Sequence, residues 1–357
     1  MIYFGIVGAS VFFACLAAWS SHRQMFFAFS FLTLLTFTIP AVIRYGVGCD
    51  YLGVYSTSIE QIAAGMVTDQ ELSFRMVVEF VLDNLPSEHY VFVIYSLLTY
   101  LVAWMSFPRK GFNYAIAAYL LMYYAFTLSG IRQGLALSFI LCVLLFYFKR
   151  CWLLSFAMVA IATFWHFSAV IVVPLVVAAN LCAQRRLVWF PFAIAVLAVV
   201  FWKIDFSGVV LHLVAVTPYA RYLEAANGEV LNAARVSSGL GYLIPAVMFF
   251  MLSTVLVTHR NGRRIAKTIG VLCGFAVLFY AVSIHIDVFN RFSIVANAAI
   301  PFAIAMLARL QRSVKDRICL VFAVSCMIAL FCKEVISDAN YGITPYQTVF
   351  DVGIELW

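Results

Sequence analysis

Residues 25–43, MFFAFSFLTLLTFTIPAVI, run without a charge, and Arg44-Tyr45-Gly46-Val47-Gly48-Cys49-Asp50-Tyr51 follow at once. The first stretch is long enough to cross a hydrocarbon layer of about 30 Å as a helix. The second opens with a cation where the chain leaves lipid. Gly46 and Gly48 permit positive φ and close backbone approach to a neighbour or ligand. Arg44 offers a planar, permanently charged fork suited to phosphate or carboxylate. Asp50 reads either as the partner of an arginine or as a base. A membrane-exit loop, with a snorkelling arginine and turn glycines, fits the same octapeptide.

Composition extends this reading to the whole chain. Of the 357 residues, 65% are hydrophobic and 11% charged, more apolar than a soluble surface tolerates. Apolar segments lie near 2–19, 25–43, 90–107, 112–129, 134–148, 152–165, 168–183, 187–203, 238–258, 266–283, 293–309 and 318–332. The expectation is an all-α polytopic integral membrane protein with about 12 transmembrane helices. No repeat period or low-complexity linker divides the chain, so residues 1–357 read as a single membrane domain. The first run, Ile2 to Trp19, has no Lys or Arg before it and reads as a retained helix, not a signal peptide. The nine cysteines fall mostly inside apolar runs without metal-ligand spacing, so neither a metal site nor a disulfide framework is expected.

Basic residues set the orientation. Connections holding Arg23, Arg109-Lys110, Lys149-Arg150, Arg185-Arg186, Arg260 to Lys267 and Arg309 to Arg317 alternate along the chain and so share one face. They carry 15 of the 23 Lys and Arg residues and one of the 16 acids, Asp316. That face is predicted to be the cytoplasmic one, with both termini outside. The net charge of +7 is then a positive-inside signature, not a nucleic-acid footprint. The opposite face holds the longer segments 44–89 and 204–237 and the tail 333–357. In the first of these, Ser58 is an outward labelling position. Farther along it, Glu71 to Leu85 mixes Leu72, Phe74, Met76, Val77, Phe80 and Val81 with Arg75, Glu79 and Asp83. That is an amphipathic interfacial helix, closed by Pro86. In the second segment, Arg221 and Arg235 read as solvated or lipid-phosphate contacts.

Four further polar clusters sit at helix ends on the same outer face. They are Ser129-Gly130-Ile131-Arg132-Gln133, Trp165-His166-Phe167-Ser168-Ala169, the connection from His285 and Asp287 to Arg291 and Ser293, and Thr344-Pro345-Tyr346-Gln347-Thr348-Val349-Phe350. Arg132 stands near lipid depth, where a lone charge costs about 2.5–3.5 kcal/mol unless a partner or a wet cavity receives it. The plain readings are Arg132 as a helix C-terminal cap, Arg44 and Arg291 as topology anchors, His166 as a structural histidine and Asp50 as an ion-pair partner. The functional reading joins Arg44, Arg132 and Arg291 in a cationic pocket for a polyanionic head group such as pyrophosphate. Asp50 and His166 are then its acid–base candidates.

The ordered set RYGVGCDY, SGIRQ, WHFSA, NRFS and TPYQTVF carries a resemblance that spans about residues 40 to 350. It resembles the EpsG-like branch of bacterial polysaccharide polymerases, relatives of the Wzy O-antigen polymerases. Cys49 stands where a small hydroxyl residue is expected, and the middle outer loop matches nothing. The resemblance implies a GT-C-like membrane glycosyltransferase. It would join oligosaccharide repeat units carried on undecaprenyl pyrophosphate, at the periplasmic face of the bacterial inner membrane, in exopolysaccharide, capsule or lipopolysaccharide assembly. It implies Asp50, His166 and Arg132 as catalytic residues, with Arg44, Tyr51, Gln133, Ser168, Arg291 and Tyr346 contacting pyrophosphate and sugar. No cofactor and no metal are expected. The expected partners are the lipid-linked donor and acceptor, membrane lipids and a chain-length regulator. Two rival classes use similar residues. A lipid-linked oligosaccharide flippase would place them at mid-membrane in broken helices, and a membrane O-acyltransferase would face a cytoplasmic acyl donor.

Overall fold

The computed structural model describes residues 2–66, 68, 70–185, 187–204, 240–259, 264–283, 288–310, 313–337 and 341–353. Arg221 and Arg235, and His285 and Asp287, lie outside the described residues. The chain falls into two compact units, residues 1–170 with 327–357 and residues 171–326.

The first unit contains α1 (Ile2–Trp19), α2 (Arg23–Ile43), a π-helical turn (Tyr51–Ser56) running into α3 (Thr57–Ala63), α4 (Leu72–Asn84), α5 (Tyr90–Ser106), α6 (Phe112–Ser129), α7 (Ile131–Phe148) and α8 (Trp152–Trp165). α1 packs on α2 and α6, α2 on α5, α5 on α7, and α7 on α8. α7 is buried along most of its length, whereas α1 and α2 leave Phe12, Phe27, Phe31 and Ile39 exposed for lipid. Hydrocarbon offers no water, and several hydroxyls in these helices find partners inside the protein. Ser10 meets Thr36 at 2.8 Å, Tyr100 meets Thr127 at 2.9 Å, and Tyr124 donates to the Phe37 carbonyl at 3.0 Å. At one end of the unit Arg109 donates to the carbonyls of Ser20 and Ser21. At the other end lie the C-termini of α2, α6 and α8 and the start of α7. The alternation assumed from the loop charges therefore holds within this unit.

α4 has the expected amphipathic character. Phe74, Val78 and Val81 are wholly buried in an aromatic cluster with Tyr55, Phe92 and Tyr95. Leu72, Met76 and Phe80 point away from the protein beside an Arg75–Glu79 pair at 2.6 Å. Leu85 is extended, as the residue before Pro86 should be, and the helix stops there. Ser58 differs from expectation. It is buried, and its hydroxyl donates to the Val54 carbonyl, because the π-helical turn and α3 fold this part of the loop back onto the core.

The second unit is built on α12. It contains α9 (Val172–Gln184), α10 (Phe190–Lys203), α11 (Leu240–Thr258), α12 (Arg264–Ser283), α13 (Val288–Asn297), α14 (Ile300–Leu310) and the first half of α15 (Val314–Ser337). α9, α10, α11, α13 and α14 all pack against α12. The apolar run expected as one segment at 293–309 is two helices, broken at residues 298–299. Pro301 is the reason: it lacks an N–H and suits a first turn, so it starts α14 and does not continue α13. Among the described residues, seven helices are long and apolar enough to cross a membrane, with shorter apolar helices at Tyr90–Ser106, Trp152–Trp165, Phe190–Lys203 and Leu243–Thr258. The chain is an all-α, multi-pass membrane protein.

Candidate functional site

A helix end leaves its last carbonyls without intrahelical donors, and the first motif supplies them to α2. Arg44 is wholly buried. Its guanidinium donates to the Ala41 carbonyl, to Ser96 Oγ at 2.8 Å and to the Leu128 carbonyl at 3.2 Å, so one cation closes the C-termini of both α2 and α6. A positive charge at two helix C-termini is favoured by both macrodipoles. The next α2 carbonyl, Val42, accepts from His89 Nε2 at 2.9 Å. That donation leaves His89 Nδ1 to accept from the Tyr51 hydroxyl at 3.1 Å. Burial lowers the His89 pKa, Arg44 adding to the effect and the Val42 bond opposing it, which suits this neutral tautomer. Tyr51 is held flat on Phe92 with centroids 3.8 Å apart.

The terminal motif closes the same loop from the far end of the chain. Tyr45 N donates to the Gln347 carbonyl, Gly48 N to Gly342 and Cys49 N to Tyr341, at 2.8–2.9 Å. Arg44 and Thr348 pair as an antiparallel bridge. Tyr346 donates to the Pro40 carbonyl at 2.7 Å and Tyr3 to the Ile343 carbonyl. Thr348 and Asp351 form a capping box that ends the strap in the short α16 (Val349–Val352). Cys49 Sγ lies 2.9 Å from Ser129 Oγ, the contact a hydroxyl would make at that position.

Beside this frame lies a charged cluster. Arg132 is the second residue of α7, at the end of the helix where a cation is disfavoured and an anion favoured. The helix C-terminal cap considered for it does not occur. Its charge is met by Glu71, the residue preceding α4, which pairs with the Arg132 guanidinium through Oε2 and with His166 Nδ1 at 2.7 Å through Oε1. The Arg132 guanidinium also lies over the Tyr55 and Phe74 rings, 5.5 and 5.6 Å from their centroids. Burial raises the Tyr55 pKa, Arg132 lowers it and Asp50 raises it, so the fields of both charged groups reach this phenol. Arg132 Nε and Gln133 Nε2 are buried and have no hydrogen-bond partner among the described residues. His166 terminates α8 with an extended backbone, φ −159° and ψ 120°, which turns the chain into the 3₁₀ segment that holds the buried Ser168. The arrangement has the parts for proton transfer at an imidazole oriented by a carboxylate, next to an arginine and a helix N-terminus that attract an anion.

The sequence pattern of the EpsG family matches residues 11–348. The chain belongs to the EpsG family. Membership brings a polysaccharide polymerase-like, glycosyltransferase-like role in a membrane, with lipid-linked saccharides as the substrate class. No curated protein and no solved structure matches this chain.

Within this EpsG family member the expected site residues separate into groups. Arg132 and His166 come together around Glu71, and Gln133 follows Arg132 in the first turn of α7. Asp50 is half-buried at the start of the π-helical turn, with the Cys49 thiol 3.7 Å from its Oδ1. Arg44, Tyr51 and Tyr346 engage their polar groups with carbonyls and His89, tying the loop and the strap to the helices. Arg291 is half-buried on α13 of the second unit. Sequence reasoning does not place Glu71 in the site. It enters the sequence reading only as the first residue of the amphipathic segment, whose Arg75 pairs with Glu79. The signal that points to it is Arg132 itself, a cation near lipid depth that requires an acid from somewhere.

Proposed function

We propose that this chain is a Wzy-type polymerase with about 12 transmembrane helices of GT-C-like kind. It joins undecaprenyl-pyrophosphate-linked oligosaccharide repeat units at the periplasmic face of the bacterial inner membrane. The observation that carries this reading is the Glu71–His166–Arg132 cluster at a helix-end surface of an EpsG family chain. In the donor, the growing chain is attached through its anomeric carbon to the lipid pyrophosphate. The bond from that carbon to the phosphate oxygen breaks, and its electron pair leaves with the pyrophosphate. The acceptor hydroxyl oxygen bonds to the carbon, and its proton passes to His166 Nε2. Nδ1, held by Glu71, fixes the tautomer that makes Nε2 basic. Arg132 and the first turn of α7 stabilise the departing charge from positions set in advance, without a metal ion. Pyrophosphate is already a good leaving group, so no second carboxylic acid is required as in a glycosidase pair.

Purified protein supplied with one lipid-linked repeat unit is expected to yield a ladder of lengths. Translocation without lengthening would make it a flippase instead. His166→Gln is expected to lower turnover by about 10²–10⁴-fold, the range for a lost general base, while donor affinity changes little. Near-normal turnover in that variant would remove His166 and pass the role to Asp50.

The orientation has its own test. A cysteine placed at the exposed Ala64 should react with a membrane-impermeant maleimide in intact spheroplasts, and one at Lys110 only after the membrane is breached. Cys49 and Cys151, both exposed, are replaced by serine in the background. The reverse pattern would invert the topology and move the site to the cytoplasm.

A further inference from the structure

We infer that Glu71 is a positioning residue that couples capture of an anion at Arg132 to the basicity of His166. The inference rests on the site being the glycosyl-transfer centre proposed above. One carboxylate serves two partners, with Oε1 on the imidazole and Oε2 on the guanidinium. A carboxylate neutralised by an arginine stabilises an imidazolium less than one whose charge faces the imidazole alone.

The surroundings favour an exchange of partners. Glu71 takes the N-cap position of α4 but makes no side-chain cap there, so its carboxylate is committed to the cluster and not to its own helix. Its backbone carbonyl accepts from Phe74 N and Arg75 N, and wholly buried Phe74, Val78 and Val81 fix that first turn in the core. Arg132, in contrast, sits at a helix N-terminus, where an anion is favoured over the arginine's own charge. A diphosphate arriving there competes with Glu71 for the guanidinium and gains the α7 amide groups as well. Once Arg132 turns to the diphosphate, the Glu71 charge falls on His166. The base is then strongest when a donor is in place. The charged and titratable groups in this arrangement are Glu71 before α4, Arg132 on α7, Tyr55 at the π-helical turn and, through its field at Tyr55, Asp50.

The test follows ¹⁵N-histidine-labelled protein in nanodiscs by NMR, with the His166 resonances assigned by their loss in His166→Gln. Inorganic pyrophosphate is the probe. The apparent pKa of His166 is expected to rise by about one pH unit or more when pyrophosphate is added. Glu71→Gln is expected to lower the starting value and shrink the rise, and Glu71→Asp, which keeps the charge but shortens the reach, to fall between. Arg132→Gln tests the coupling without touching Glu71, and should show a raised His166 pKa before any pyrophosphate is added. An unchanged His166 pKa in Arg132→Gln, or the same rise in Glu71→Gln as in wild type, would overturn the coupling. The polymerisation ladder is scored separately. If the titrations behave as expected and no ladder forms, the coupling stands and the glycosyl-transfer reading falls. If a ladder forms while His166 ignores both Glu71 and pyrophosphate, the glycosyl-transfer reading stands and the coupling falls.

Discussion

Arg132→Lys is expected to insert and fold, yet to polymerise roughly 10²–10³-fold more slowly than wild type, the loss typical of removing one preorganised donor from a developing anion. Lysine keeps the charge that Glu71 needs, so the buried pair survives in electrostatic terms. It loses the planar fork, and with it the means to hold Glu71 through one edge while presenting other N–H groups to a diphosphate. It also loses the guanidinium's contact over the Tyr55 and Phe74 rings. The deficit should appear in turnover more than in donor affinity, measured as ladder growth from a lipid-linked repeat unit. Arg44→Lys makes an instructive contrast. Arg44 is wholly buried and spreads its donors over Ala41, Ser96 and Leu128, so its replacement is expected to reduce folded protein before it reduces turnover. A normal ladder from Arg132→Lys would make Arg132 a structural cation and end the anion-site argument.

Gly48→Ala is expected to cost roughly 2–6 kcal/mol of stability and to leave little folded protein. That range combines about 1–3 kcal/mol of backbone strain with about 1–3 kcal/mol of overpacking. Gly48 has φ +114°, a conformation L side chains rarely adopt, and an added Cβ would lie 2.6 Å from the Leu128 carbonyl oxygen and 2.9 Å from Ser129 Cα. Both obstacles are backbone at the end of α6, so a rotamer change cannot relieve them. The displacement would propagate to the Leu128 carbonyl that Arg44 caps, to the Cys49–Ser129 contact and to the Gly48–Gly342 hydrogen bond. Thermal unfolding of detergent-purified protein, with Gly53→Ala alongside, makes the comparison. Gly53 has nothing within 4 Å of an added Cβ, so its variant should behave as wild type. Equal stability of the two variants would show that the loop does not need its close approach to α6.

The apolar runs predict the helices well because a run of hydrophobic residues long enough for a bilayer is a property of consecutive residues. Arg109 meeting Ser20 and Ser21 at one end, and Arg44 meeting Leu128 at the other, follow from the alternation that loop charges already describe. The α13–α14 break is legible in Pro301, although hydropathy alone runs the apolar segment straight across it. Gly46 and Gly48 read as positions of special backbone geometry, and both have positive φ. The neighbour approached by Gly48, however, is protein backbone.

The roles of the charged residues are decided elsewhere. Arg44 and Arg132 are chemically identical in the sequence, and both follow or begin an apolar helix. One is used on carbonyls at two helix C-termini, and the other faces a carboxylate at a helix N-terminus, because the fold brings different backbone ends to each. Glu71 reaches His166 across 95 positions, and Tyr346 of the terminal motif reaches the Pro40 carbonyl just before the first motif across 306. Local sequence determined where the chain enters and leaves lipid, through burial and hydrogen-bonding costs incurred residue by residue. Which charges meet at a helix end depends on contacts between distant segments, whose geometry exists only after the helices have packed.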